Sequence, residues 1–147
     1  MPIRLLSILC FVVVVLSACS TPPATAGEAK DFSTVCDKTN DGKRVAVTGY
    51  LRFPESFSGD SSVMLRLYQG SDFAGNTIGV ETEFGSSANQ VAPVKDQYAD
   101  TDLKVYLADG KTAGLGTRVK VSGKVYYPLV GQDFACGLEN PLVELAP

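Results

Sequence analysis

The sequence predicts a mainly β domain, a small barrel or sandwich, on three observations. Between residues 43 and 145 apolar residues recur at every second position in several short stretches, the period of a strand with one buried face. Gly, Asn, Asp and Pro cluster in the gaps between those stretches and mark turns. Two of the alternating stretches carry a glycine in mid-run, Gly49 in VAVTGYL and Gly123 in VKVSGKV. A glycine there weakens a strand unless the strand must bend or coil sharply, as the strands of a small barrel do.

Each element follows from its local pattern. Asp31–Lys38 (DFSTVCDK) suits a short helical turn, and Asn40-Asp41-Gly42 is a strong turn signal. Lys43–Phe53 alternates, with Val45, Val47, Leu51 and Phe53 on one face and Arg44, Ala46, Thr48, Tyr50 and Arg52 on the other. Pro54–Ser61 is a loop. Ser62–Gln69 alternates again, Val63, Leu65 and Leu67 opposing Met64, Arg66 and Tyr68. Gly70–Asn76 turns, and Thr77–Phe84 reads as a third strand. Gly85–Asp102 lacks the strand period, and a short helix is expected around Ala88–Tyr98, limited by Pro93. Leu103–Ala108 reads as a further strand ended by Asp109-Gly110. Arg118–Tyr127 is the clearest strand: Val119, Val121, Val125 and Tyr127 line one face, and Arg118, Lys120, Ser122, Lys124 and Tyr126 the other. Leu142–Leu145 closes the chain.

The N-terminal region has a different character. After one charge, Arg4, an almost unbroken apolar run extends from Leu5 to Leu16. That is the length of a signal-peptide core and too short to span a bilayer comfortably. Leu16-Ser17-Ala18-Cys19 follows, small residues and then a cysteine, and resembles the bacterial lipobox. The resemblance implies a signal peptide over residues 1–18, a diacylglycerol on the Cys19 thiol, and acylation, for example by palmitate, of the new N-terminus. It also implies a lipoprotein of the cell membrane or outer membrane on the extracytoplasmic or periplasmic side. Ser20, not Asp, follows the cysteine, which in a Gram-negative cell resembles the outer-membrane sorting pattern. Residues 19–30 (CSTPPATAGEAK) are small, polar and Pro-containing, and read as a lipidated tether. Residues 31–147 form the domain.

Charge and cysteine usage narrow the partners. The chain has 13 Lys+Arg against 16 Asp+Glu; loss of Arg4 leaves 12 against 16, a net charge of −4. That balance disfavours nucleic acid, whose nonspecific binding rests on phosphate neutralisation. It also leaves membrane attachment to the acyl chains. Of the four cysteines, Cys10 lies in the signal core and Cys19 is the lipid site. Cys36 and Cys136 remain. A lipoprotein domain folds outside the cytosol, where disulfides persist, so a Cys36–Cys136 bridge is expected. Two free thiols, or a link to a partner, are the alternatives.

The paired mid-strand glycines resemble the first and fourth strands of an OB-fold. Over Val35–Leu145 the order and spacing are most similar to the tRNA_anti-like OB proteins found among bacterial lipoproteins. The resemblance implies a five-stranded OB-like barrel with a short helix or insertion; the long stretch between Gln69 and Leu103 departs from a minimal barrel. In that fold the first and fourth strands pair antiparallel. Cys36 precedes one and Cys136 follows the other, so the fold would bring both to one end of the barrel.

Catalytic equipment is sparse. Histidine is absent, which removes the commonest general base near neutral pH and the commonest metal ligand. Ser-His-Asp triads, Cys-His dyads and His-ligated zinc are thereby excluded, and no metal or other cofactor is expected. A Ser-Lys dyad stays open without a supporting motif. Asp37–Gly42 has a partial calcium-loop pattern, but Thr39 and Thr48 stand where ligands belong, and the Asn-Asp-Gly turn explains the residues. Glu81 and Glu83 share one face of a strand and read as a solvated face. Gly114-Leu115-Gly116 reads as a turn.

One constellation has the chemistry of a ligand face. The outward positions present Tyr50, Arg52, Arg66, Tyr68, Lys120, Lys124 and Tyr126. Interleaved aromatic and basic residues on an OB surface bind single strands or oligosaccharides, although the same residue types are ordinary on an exposed strand face. With this compartment and charge, the expected ligand is a glycan, a peptide or an envelope protein. The sequence thus points to a non-enzymatic binding module. The alternatives are an envelope hydrolase using Ser, Lys or carboxylates, and a purely structural accessory subunit.

Overall fold

A computed structural model describes residues 22–147. The expected signal peptide and the lipobox-like stretch Leu16–Cys19 lie outside the described residues. Eight strands form: β1 Glu28–Ala29, β2 Arg44–Arg52, β3 Ser62–Tyr68, β4 Thr77–Glu83, β5 Lys104–Tyr106, β6 Thr112–Gly114, β7 Arg118–Tyr126 and β8 Gly137–Leu145. Two 3-10 turns, Lys38–Asn40 and Asp100–Asp102, are the helical content of the described residues.

The strands close in the order β2-β3-β4-β8-β7 and back to β2, a five-stranded OB-like barrel. Neighbours are antiparallel except β4 and β8, which run parallel through Gly79↔Gly137 and Val80↔Leu138. The long β2 is shared between two partners: Arg44–Tyr50 pair with β7, and Tyr50–Arg52 with β3. The pairing of β2 with β7 is the one expected from the two-glycine pattern.

Both glycines sit where backbone or a core side chain comes too close for a Cβ. One added at Gly49 would lie 2.3 Å from the Tyr68 carbonyl oxygen, and one at Gly123 would lie 2.7 Å from the Leu138 Cβ. Opposite Gly123, β8 shifts register through Asn140, at φ 49°, and Pro141, which has no amide to donate. This bulge coils the β7–β8 ribbon enough to close the barrel.

Alternation puts Val45, Val47, Leu51, Val63, Leu65, Leu67, Ile78, Val80, Val119, Val121, Val125, Leu138 and Val143 in one core, each almost fully buried. β2, β4 and β8 begin, and β7 ends, at one end of the barrel. Val35 and the Cys36–Cys136 disulfide, with Cα atoms 5.5 Å apart, lie at that end. At the other end, where β4 stops, residues 84–117 contribute Val91, Leu103, Val105, Leu107 and Ala113 to the core.

Two expectations are corrected. Residues 88–98 form no helix. Val91 is fully buried and bridges Phe84 on one side and Val105 on the other, so the segment runs extended beside the β5–β6 hairpin. Asn89 at φ 65° turns the chain into it, and its Oδ1 accepts from the Val143 N–H at 2.8 Å, docking the insertion on β8. Pro93 then favours an extended Ala92 over a helical one. The second correction concerns the end of the tether. Glu28–Ala29 form β1, parallel to Val45–Ala46, beside the part of β2 that β3 does not reach. Lys30 N–H continues the ladder to the Ala46 carbonyl at 2.9 Å, and Ala46, expected outward, is buried beside it.

Near Asp31 the expected helical turn is a single turn, with the amides of Thr34 and Val35 both bonding the Asp31 carbonyl. Asn40, buried, closes it by donating its Nδ2 to the carbonyls of Thr34 and Val35.

Candidate functional site

The outer face of β3 and β4 lies between two loops. β3 turns Ser62, Met64, Arg66 and Tyr68 outward; β4 presents Gly79, Glu81 and Glu83 beside them, with Met64↔Glu81 and Arg66↔Gly79 paired across the strands. Residues 53–61 join β2 to β3 on one side, and residues 127–136 join β7 to β8 on the other. Between them runs a groove of about 360 Å³ lined by Pro54, Ser56, Phe57, Ser58, Ser62, Met64, Arg66, Glu81 and Gln132. The outer face of the second and third barrel strands, flanked by these two loops, is where OB-folds take oligomeric ligands.

Arg66 is the centre of the groove. It is 8 % exposed, an unusual state for a guanidinium. Its Nη1 donates to the Met64 carbonyl at 2.8 Å, its Nη2 is paired with Asp133, and the cation sits 4.8 Å from the centre of the Phe134 ring. Phe134 in turn lies on Gly79, where a Cβ would come within 2.9 Å of the ring. The missing side chain at Gly79 lets the 127–136 loop press onto the sheet. Arg66 Nε is buried with no hydrogen-bond partner.

The walls have separate supports. On one side Phe57 packs in a cluster with Phe53, Phe84 and Tyr98, at centroid distances of 4.7 to 6.0 Å, and the Tyr98 hydroxyl donates to the Pro54 carbonyl at 3.1 Å. On the other, Tyr126 is half-buried with its hydroxyl 3.7 Å from Met64 Sδ. Burial first, and then the carboxylates of Glu81 and Glu139, raise the Tyr126 phenol above its ordinary pKa, so it stays a neutral donor.

The seven residues expected on one ligand face are distributed over three places. Arg66 reaches the groove, and Tyr126 lies beside it against Met64. Tyr50, Arg52 and Tyr68 group on the β2–β3 surface, where Arg52 Nε donates to Asp100 at 2.6 Å and Phe73 meets Tyr68 edge-on at 5.5 Å. Lys120 and Lys124 lie on the β7–β8 surface, paired with Glu144 and Glu139 at 2.9 Å each. Glu81, which reads as solvated surface in the sequence, belongs to the groove, while Glu83 accepts from Gln90 Nε2 at 3.2 Å. Phe57, Gln132, Asp133 and Phe134 are additions that strand periodicity does not reach, because they come from loops.

Among the described residues no three His, Cys, Asp or Glu side chains are placed to hold a metal ion. The Asp37–Gly42 segment forms a 3-10 turn ending in Gly42 at φ 71°. No helix among the described residues is long and apolar enough to cross a membrane. No family model, no curated protein and no solved structure matches this chain.

Proposed function

We propose that the protein is a lipid-anchored, extracytoplasmic binding module whose β3–β4 groove takes a segment of envelope glycan. The observation that carries the binding role is the groove itself, on the outer face of β3 and β4 between the 53–61 and 127–136 loops, with the Arg66 guanidinium and the Glu81 carboxylate both in its lining. The lining favours a saccharide. Ser56, Ser58, Ser62 and Gln132 bond hydroxyls and amides, Glu81 accepts from hydroxyls, and Phe57 offers apolar surface to a sugar face. The acidic chain argues against a polyphosphate backbone. The lipobox at Leu16–Cys19 supports the compartment.

The test is titration of the processed, detergent-solubilised protein with panels of oligosaccharides and short peptides. Binding to a saccharide should weaken at least about tenfold in Glu81→Gln and in Arg66→Lys, and stay unchanged in Lys124→Gln, since one lost charged hydrogen bond is worth about 1.5–3 kcal/mol. Binding that ignores both groove variants removes the groove from the function, and a peptide bound in place of a sugar changes the ligand class. Ser62 and Glu81 lining one groove keep a hydrolase as the second reading. Turnover lost in Ser62→Ala or Glu81→Gln, with the fold intact, would establish it.

A further inference from the structure

The 127–136 loop carries a feature that the groove does not use. At its tip Leu129 is 91 % exposed and Val130 106 %, fully in water, between Tyr127 and the groove residue Gln132. Two adjacent apolar side chains held out on a loop are costly to leave solvated unless something covers them. From their place in the fold we infer that Leu129 and Val130 dip into the lipid bilayer beside the N-terminal anchor. The inference rests on the lipid-anchored reading proposed above.

Chain length and topology select lipid as the occupant. Arg44 Nε is bonded to the Thr25 carbonyl, and β1 lies against the start of β2, so the tether joins the domain at the barrel end where β2 begins. Cys19 and Thr25 are six residues apart in the sequence. Fully extended, that stretch spans at most ~20 Å. An acyl chain on Cys19 therefore keeps this end of the barrel within ~20 Å of the membrane. The 127–136 loop leaves from the same end. Arg44 pairs with Lys124, Gly42 N–H bonds the Val125 carbonyl, and the Tyr127 hydroxyl donates to the Cys36 carbonyl at 2.7 Å, two residues before Leu129. Lys38 Nζ stacks 3.4 Å from the Tyr127 ring and fixes the base of the loop further.

Two side chains are too little to hold a free domain on a bilayer, but the anchor makes their insertion intramolecular. Charge adds little, because Lys38, Lys43, Arg44 and Lys124 at this end are matched by Asp37, Asp41, Asp133 and Glu139. Insertion would also fix the orientation of the domain, turning the β3–β4 groove to face along the membrane.

The chain has no tryptophan, so Val130→Trp introduces a single reporter. The processed, lipidated variant is placed in phosphatidylcholine–phosphatidylglycerol vesicles with and without brominated acyl chains. Asp109→Trp, in the turn at the opposite end, is the comparison. Quenching at position 130 should exceed that at 109 by at least about threefold, as expected for a residue in the headgroup–acyl boundary. Equal weak quenching at both positions, with the protein still floating with the vesicles, overturns the inference and leaves the anchor standing. A protein that does not float and keeps Met1 overturns the anchor and the inference with it. Shielding of the indole at position 130 that appears only on adding a soluble envelope protein assigns the tip to that partner and overturns lipid contact.

Discussion

Lys120 and Lys124 on the β7–β8 surface and Arg66 on the β3–β4 surface occupy the same kind of position, the outward side of an alternating strand. The lysines stay about half exposed and face Glu144 and Glu139 directly across the ladder. Arg66 is buried under the 127–136 loop, with its ion-pair partner Asp133 largely exposed. The difference lies in what crosses over the strand. Exposed pairs are screened by water and worth little; a covered guanidinium must find partners within the protein, and Arg66 finds them in the Met64 carbonyl, Asp133 and the Phe134 ring.

That contrast can be broken at the disulfide first. Cys136 ends the loop that covers Arg66, and the bridge closes a separation of 100 residues. Replacing Cys36 and Cys136 by Ala should cost on the order of 4–5 kcal/mol in urea unfolding by the chain-entropy account. A loss below about 1 kcal/mol would mean that the loop holds without its cross-link. Arg66→Met comes next. It removes the bonds to Met64 and Asp133 and the stacking on Phe134, and should destabilise by about 1–3 kcal/mol while making residues 127–136 more sensitive to protease. Unchanged cleavage would show that Arg66 does not hold the loop. Lys120→Gln and Lys124→Gln should each change stability by less than about 1 kcal/mol, and less again at high salt. An effect as large as that of Arg66→Met would erase the distinction between the two surfaces.

The last prediction makes no change at neutral pH. Of the six tyrosines, Tyr98, Tyr126 and Tyr127 are all raised above the ordinary phenol value, burial being the first cause for each. Near Tyr126 the carboxylates are Glu81 and Glu139, near Tyr98 Asp100, and near Tyr127 Asp41 and Asp37. The folded state holds these phenolic protons more tightly than the unfolded chain, so their contribution is complete below about pH 10 and falls as pH rises through the raised values. Absorbance titration at alkaline pH should show a later-titrating group of phenols, reduced by one in Tyr126→Phe. A single wave at the ordinary value would contradict the burial of Tyr126 at the groove.

Much of the barrel is legible in the sequence because alternation is local. Val119, Val121 and Val125 point inward for the same reason that Lys120 and Lys124 point outward, and β2, β3, β4 and β7 stand where the period places them. The inserted segment is less legible. Ala88–Tyr98 has no period of two, yet Val91 is drawn into an extended bridge between Phe84 and Val105, which lie on separate elements either side of it. The ligand face is only half readable: periodicity gives the outward direction of Arg66, but its burial depends on Asp133 and Phe134, and the place of Glu81 in a groove depends on Phe57 and Gln132.

The residues by themselves determined strand direction, the need for glycine at two close approaches, and the two cysteines free to pair. Each of these follows from steric and apolar patterning within a few neighbours or from a count. Tertiary structure alone decided which outward side chains are covered, because coverage is set by loops that begin and end on different strands. The same cation is a solvated surface group or a buried donor according to a loop whose Asp133 lies 67 residues further along the chain, and no local pattern encodes that distance.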